Sequence, residues 1–100
     1  MQRLDAAQLA AALAELPAWR HDADRSAIAR SFKFADFAQA FAFMTELAIA
    51  AEKRDHHPDW SNVYNRVEIA LSTHDAGGIT ERDTTFARHA DEVYRRFQHG

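Results

Sequence analysis

The chain has 100 residues, 47% of them hydrophobic, and a formal net charge of -3, which fits one globular domain built on a single core. That balance leaves no basic footprint for nucleic acid and no apolar run long enough to span a membrane, and Met1-Gln2-Arg3-Leu4-Asp5 lacks a signal-peptide core. Without cysteine there is no disulfide, no thiolate nucleophile and no cysteine-based zinc site; the cytoplasm is the expected compartment.

The first predicted element is a helix from Ala6 to Leu16. Asp5 and Gln8 form a capping box, Leu4 staples onto Leu9, and Pro17 stops the run. Trp19 to His21 reads as a short strand, Ala23-Asp24-Arg25 as a turn, and Ile28 to Phe34 as the returning strand. Its alternation is broken by Arg30, which shares parity with Ile28, Phe32 and Phe34. A long helix follows from Asp36 to Lys53 with two apolar stripes. One holds Phe37, Phe41, Met44, Ala48 and Ala51; the other holds Ala40, Phe43, Leu47 and Ala50. So wide an apolar surface exceeds what one sheet face needs to cover, and a second subunit is the expected partner for the surplus.

Pro58 keeps the helix from continuing through His56 and His57. Trp60 to Tyr64 and Val67 to Thr73 then read as two strands joined at Asn65-Arg66, where asparagine tolerates positive φ. Gly77-Gly78 marks a loop. Thr80 and Asp83 make a capping box for the last helix, whose stripe is Phe86, Ala90, Val93 and Phe97. The order is α-β-β-α-β-β-α. This is a single α+β domain over residues 1–100, a four-stranded antiparallel sheet with three helices on one face.

Proton-transfer capacity is concentrated in two places, His56-His57-Pro58 and Thr73-His74-Asp75, with Glu52 one helical turn ahead of the first. Imidazole both gives and takes a proton near neutrality, and a carboxylate one turn away can orient it or stabilise its charge. A metal site is the rival reading. Neighbouring residues in extended chain point to opposite sides, so His56 and His57 do not readily share an ion, and the His-Glu-x-x-His spacing is absent. Asp83 is accounted for by capping alone. Trp19 reads as core, Trp60 as core or as the wall of a planar-heterocycle pocket. His21, His89 and His99 have no clustered partners and read as surface residues.

The run Glu52-Lys53-Arg54-Asp55-His56-His57-Pro58-Asp59-Trp60, then Val63-Tyr64-Asn65, Thr73-His74-Asp75, Gly78 and Asp83, closely resembles the pterin-4a-carbinolamine dehydratases. Trp19, Phe32-Lys33-Phe34-Ala35-Asp36-Phe37 and Phe41-Ala42-Phe43-Met44-Thr45 extend the resemblance over about residues 4 to 97. It implies dehydration of a 4a-hydroxytetrahydropterin to the quinonoid dihydropterin, which regenerates the pterin of aromatic amino-acid hydroxylases. It implies His56, His57 and His74 as the catalytic set, with His56 and His74 favoured as the proton-transfer pair and His57 as mainly a substrate-binding group. Glu52 and Asp83 are the implied supporting carboxylates, and Asp55, Trp60, Ser72, Thr73 and Asp75 the implied pterin-binding residues. The chemistry requires no cofactor, no metal and no covalent intermediate. The expected assembly is a homodimer or homotetramer. Some members of the family are also dimerisation partners of transcription factors, and some relatives act as assembly factors without dehydratase activity; a non-catalytic dimerisation or assembly role is the alternative.

Overall fold

Alternation along the two central strands decides which side of the sheet is covered. In the computed structural model, which describes residues 2–98, β2 (Ala27–Lys33) and β4 (Arg66–Leu71) pair antiparallel with Ile28 opposite Leu71 and Phe32 opposite Val67. These four side chains and Ile69 are buried on one face. Outer strands β1 (Arg20–Asp22) and β3 (Asp59–Val63) complete a sheet of order β1-β2-β4-β3. Helices α1 (Ala6–Ala14), α2 (Phe37–Arg54) and α3 (Glu81–Arg95) pack on the apolar face, so the expected α-β-β-α-β-β-α order and single covered face hold.

Aromatic rings fill the space between sheet and helices. Phe32 meets Phe43 of α2 at 4.9 Å and Tyr94 of α3 at 5.0 Å between centroids. Such tilted and edge-on pairs add to the area they bury. Trp19 is core as expected, and its indole N–H donates to Asp91 at 2.9 Å. Arg30 explains its break in the alternation. It does face the helices, where it donates to the same Asp91 oxygen at 2.6 Å and lies over the rings of Phe32 and Tyr94.

Three local expectations are corrected. α1 stops at Ala14 rather than Leu16, because Glu15 and Leu16 turn on tighter bonds to Ala12 and Leu13. The positive φ of the β3–β4 hairpin falls on Tyr64, at 51°, rather than Asn65. Asn65 instead uses its side-chain amide to donate to the Phe34 carbonyl at 2.9 Å. In α2 the buried stripe is Ala40, Phe43, Leu47 and Ala51, so Ala51 joins the inner face; Phe37, Phe41 and Ile49 are exposed. His21 is exposed, His89 is half-buried, and His99 lies outside the described residues.

Among the described residues, no helix lies over the other face of the sheet. Its registered rows run Arg20–Ala29–Ala70–Asp59 across all four strands, with Asp22–Ala27 beside them. The floor is therefore alanine: Ala27, Ala29 and Ala70 form a small buried cluster of their own.

Candidate active site

The site starts where α2 ends. Asp55 takes a left-handed conformation (φ 50°), its N–H returns to the last helical carbonyls, and His56 N–H bonds the Ala51 carbonyl at 3.0 Å. Aspartate is one of the few side chains that adopt this region readily. The reversal sends consecutive histidines in opposite directions. His56 turns inward and is 7% exposed; His57 turns outward, its side chain 59% exposed.

Inside, His56 Nε2 lies 2.5 Å from Asp83 Oδ1. Asp83 is fully buried, and its second oxygen accepts the Thr73 hydroxyl at 2.9 Å and the Thr80 backbone N–H at 2.9 Å. An ionised carboxylate only accepts, so beside an ionised Asp83 it is His56 Nε2 that donates. Thr73 has spent its hydroxyl hydrogen on Asp83. The 2.7 Å contact between Thr73 and Thr80 hydroxyls is therefore donated by Thr80, which itself accepts from the Arg82 N–H. The helix-capping role of Asp83 and its hold on His56 coexist, one oxygen serving each. Among the described residues, no buried side-chain nitrogen or oxygen lacks a partner.

Outside, His57 Nε2 meets Glu52 Oε1 at 2.9 Å. This corrects the expectation that Glu52 serves His56: the reversal at Asp55 carries His56 away and brings His57 back over the last turn of α2. His56 is also part of the buried interior, its ring held against Asp83. The imidazole of His74, in the 3-10 turn His74–Ala76, is exposed and has no hydrogen-bond partner among the described residues.

Of the implied pterin-binding residues, Ser72 donates to the Ser26 carbonyl at 2.9 Å and, with His57, Ala27, Ala70, Arg25 and Asp59, lines a hollow of about 130 Å³ on the uncovered sheet face. Thr73 is buried on Asp83. Trp60 packs against the core from the helix side of the sheet. Asp55 and Asp75 are exposed, and no hydrogen bond joins either side chain to the others among the described residues. Also among the described residues, no three histidine or acidic side chains gather as a ligand set. Sequence reasoning missed Arg25, which donates to Asp59 at 2.6 Å across the hollow, because an arginine in a polar turn carries no local signal.

The family profile described as pterin 4 alpha carbinolamine dehydratase matches residues 2–93. The chain belongs to that family. It is 56% identical over 87 residues to a protein of Afipia carboxidovorans, covering 87% of both chains. It is 62% identical over 76 residues to one of Rhizorhabdus wittichii, covering 76% of this chain and 78% of that one. Both relatives carry provisional names as pterin-4-alpha-carbinolamine dehydratases. Among solved structures, a transcriptional coactivator/pterin dehydratase from Brucella melitensis superposes with a TM-score of 0.90 at 46% identity, over 93% of this chain and 99% of that one. A pterin dehydratase-like protein identified as a RuBisCO assembly factor in the alpha-carboxysome matches at TM-score 0.66 and 27% identity, over 77% of this chain and 89% of that one. The chain is thus similar both to proteins named for dehydration and to one identified as an assembly factor.

Proposed function

We propose that this chain dehydrates a 4a-hydroxytetrahydropterin to the quinonoid dihydropterin, recycling the pterin used by an aromatic amino-acid hydroxylase in the cytoplasm. In the reaction the C4a–O bond breaks as the C4a=N5 bond forms. The leaving oxygen takes one proton and the N5 hydrogen goes to a base. Two positioned proton carriers are sufficient, and their contribution is typically a hundredfold or more.

The observation that carries this reading is the joint at Asp83. One carboxylate holds His56 from the first histidine segment and Thr73 from the second, so both segments are fixed to one buried point. Rigid support of this kind is what places proton carriers on loops in productive geometry. The exposures favour His57 and His74 as the groups that exchange protons with substrate. His57 has Nε2 tied to Glu52, which leaves Nδ1 for the reaction. His56 acts from behind through its bond to Asp83. Ser72 and the exposed Asp55 and Asp75 complete the polar surroundings of the pterin, and Thr73 supports them from the buried side. Turnover of a 4a-hydroxytetrahydropterin by the purified protein tests the reading.

A second reading is favoured by a different surface. Phe37 and Phe41 lie with ring centroids 5.7 Å apart on the outer face of α2, exposed together with Ile49. This face is the seat we assign to self-association as a homodimer or homotetramer, and it would equally serve a non-catalytic assembly role. Retained dehydratase turnover separates the two.

A further inference from the structure

Ala27, Ala29 and Ala70 are buried although no helix among the described residues covers their side of the sheet. The Arg25 side chain lines the hollows beside them. It rises from the turn between β1 and β2 and reaches Asp59 at the start of β3, so the pair spans the two central strands above the alanine floor. The same two residues line both hollows on this face. One holds His57 and Ser72; the other, of about 260 Å³, runs on past Ala29 to Arg20.

The geometry points to Arg25 and Asp59 as the pair that recognises the pyrimidine edge of the pterin, an inference that rests on the dehydratase reading above. A pterin presents, in order along that edge, two donors (the 2-amino group and N3–H) and one acceptor (the 4-oxo group). A carboxylate accepts both donors side by side, and a guanidinium donates to the oxygen next to them. In the protein alone the two side chains satisfy each other, with 48% and 79% of their surfaces exposed. An ion pair that open to solvent adds little stability, so parting it to admit a ligand costs little against charge-assisted bonds to that ligand. The floor suits a flat ring because it is lowest at the buried cluster Ala27, Ala29 and Ala70, where only methyl groups rise, with Ser61, Glu68 and Ser72 beside it. Asp59 lies two residues from His57, roughly 6.6 Å along near-extended chain, a reach that two fused rings can span. Asp59 would thus grip the pyrimidine end while His57 meets the C4a and N5 end.

The test is fluorescence titration of the intact protein with 7,8-dihydropterin and with the corresponding 2-oxo pteridine, which lacks the 2-amino donor. The wild type should bind the pterin at least tenfold more tightly. Asp59→Asn, which offers only one acceptor, should bring the two affinities within about threefold of each other, and Arg25→Ala should weaken the pterin at least fivefold. Ala70→Leu should block both ligands; circular dichroism melts verify that it folds, and Asp59→Asn decides the matter if it does not. Equal losses for both ligands in Asp59→Asn, or unchanged pterin affinity in the two polar variants, overturns this assignment and leaves the dehydratase reading standing. No pterin binding by the wild type overturns both.

Discussion

His56 Nε2 and Asp83 Oδ1 stand 2.5 Å apart although 27 positions separate them in sequence, and both side chains are withdrawn from solvent. Asp83 sits in the first turn of α3, where a carboxylate is favoured by the helix dipole and by the Thr80 N–H it caps. The same turn therefore anchors α3, the end of α2 and the strand end that carries Thr73. Breaking it should be felt as loss of fold before it is felt as loss of chemistry.

Asp83→Ala is accordingly predicted to lower the unfolding free energy by about 3 kcal/mol or more, because His56, Thr73 and the Thr80 N–H all lose a buried carboxylate acceptor at once. Urea unfolding followed by circular dichroism measures it. A loss below about 1 kcal/mol would mean that the pair is not the joint described here.

The two adjacent histidines should part company on replacement. His57→Ala should cost roughly a hundredfold in turnover, as for a lost general acid or base, with stability changed by no more than about 0.5 kcal/mol because the residue is exposed. His56→Ala should lose both turnover and about 2 kcal/mol or more, since Asp83 is left buried without its main partner. Paired kinetics and melts decide it, and equal stability in the two variants would contradict the inward and outward placement.

A third prediction concerns the fold away from the site. Asp91 accepts from both Trp19 and Arg30, so Asp91→Ala should destabilise by about 3 kcal/mol through a partly buried guanidinium left unpaired. Asp91→Asn keeps one acceptor for Trp19 and should lose less. Chemical unfolding of both variants gives the comparison.

Much of this was legible from sequence because each local device states itself. Asp5-Gln8 and Thr80-Asp83 are capping boxes, Pro58 ends a helix, and the strand parities separate Ile28, Phe32 and Ile69 from the outward residues. The pairings across the fold were not legible. That Glu52 takes His57 rather than His56 depends on one left-handed residue, Asp55, and no spacing rule encodes it. Arg30 did leave a trace, as the one charge on an apolar strand face, but its partner Asp91 lies on another element. Arg25 left none.

The outer face of α2 supports a prediction of assembly. A dimer or tetramer at micromolar concentration is expected, and Phe41→Glu should shift it toward monomer, because a charge cannot be buried there without a partner. Light scattering reads the mass directly. A wild-type species of 11.3 kDa alone would count against it.

The dehydratase reading stands or falls on turnover. Purified wild-type protein, its fold verified by circular dichroism, should accelerate loss of the 4a-hydroxytetrahydropterin absorbance well above the spontaneous rate. It should do so equally in the presence of a metal chelator, and His57→Ala should return the rate close to background. A folded wild-type protein that leaves the spontaneous rate unchanged would contradict the account and leave the assembly role as the function of this fold.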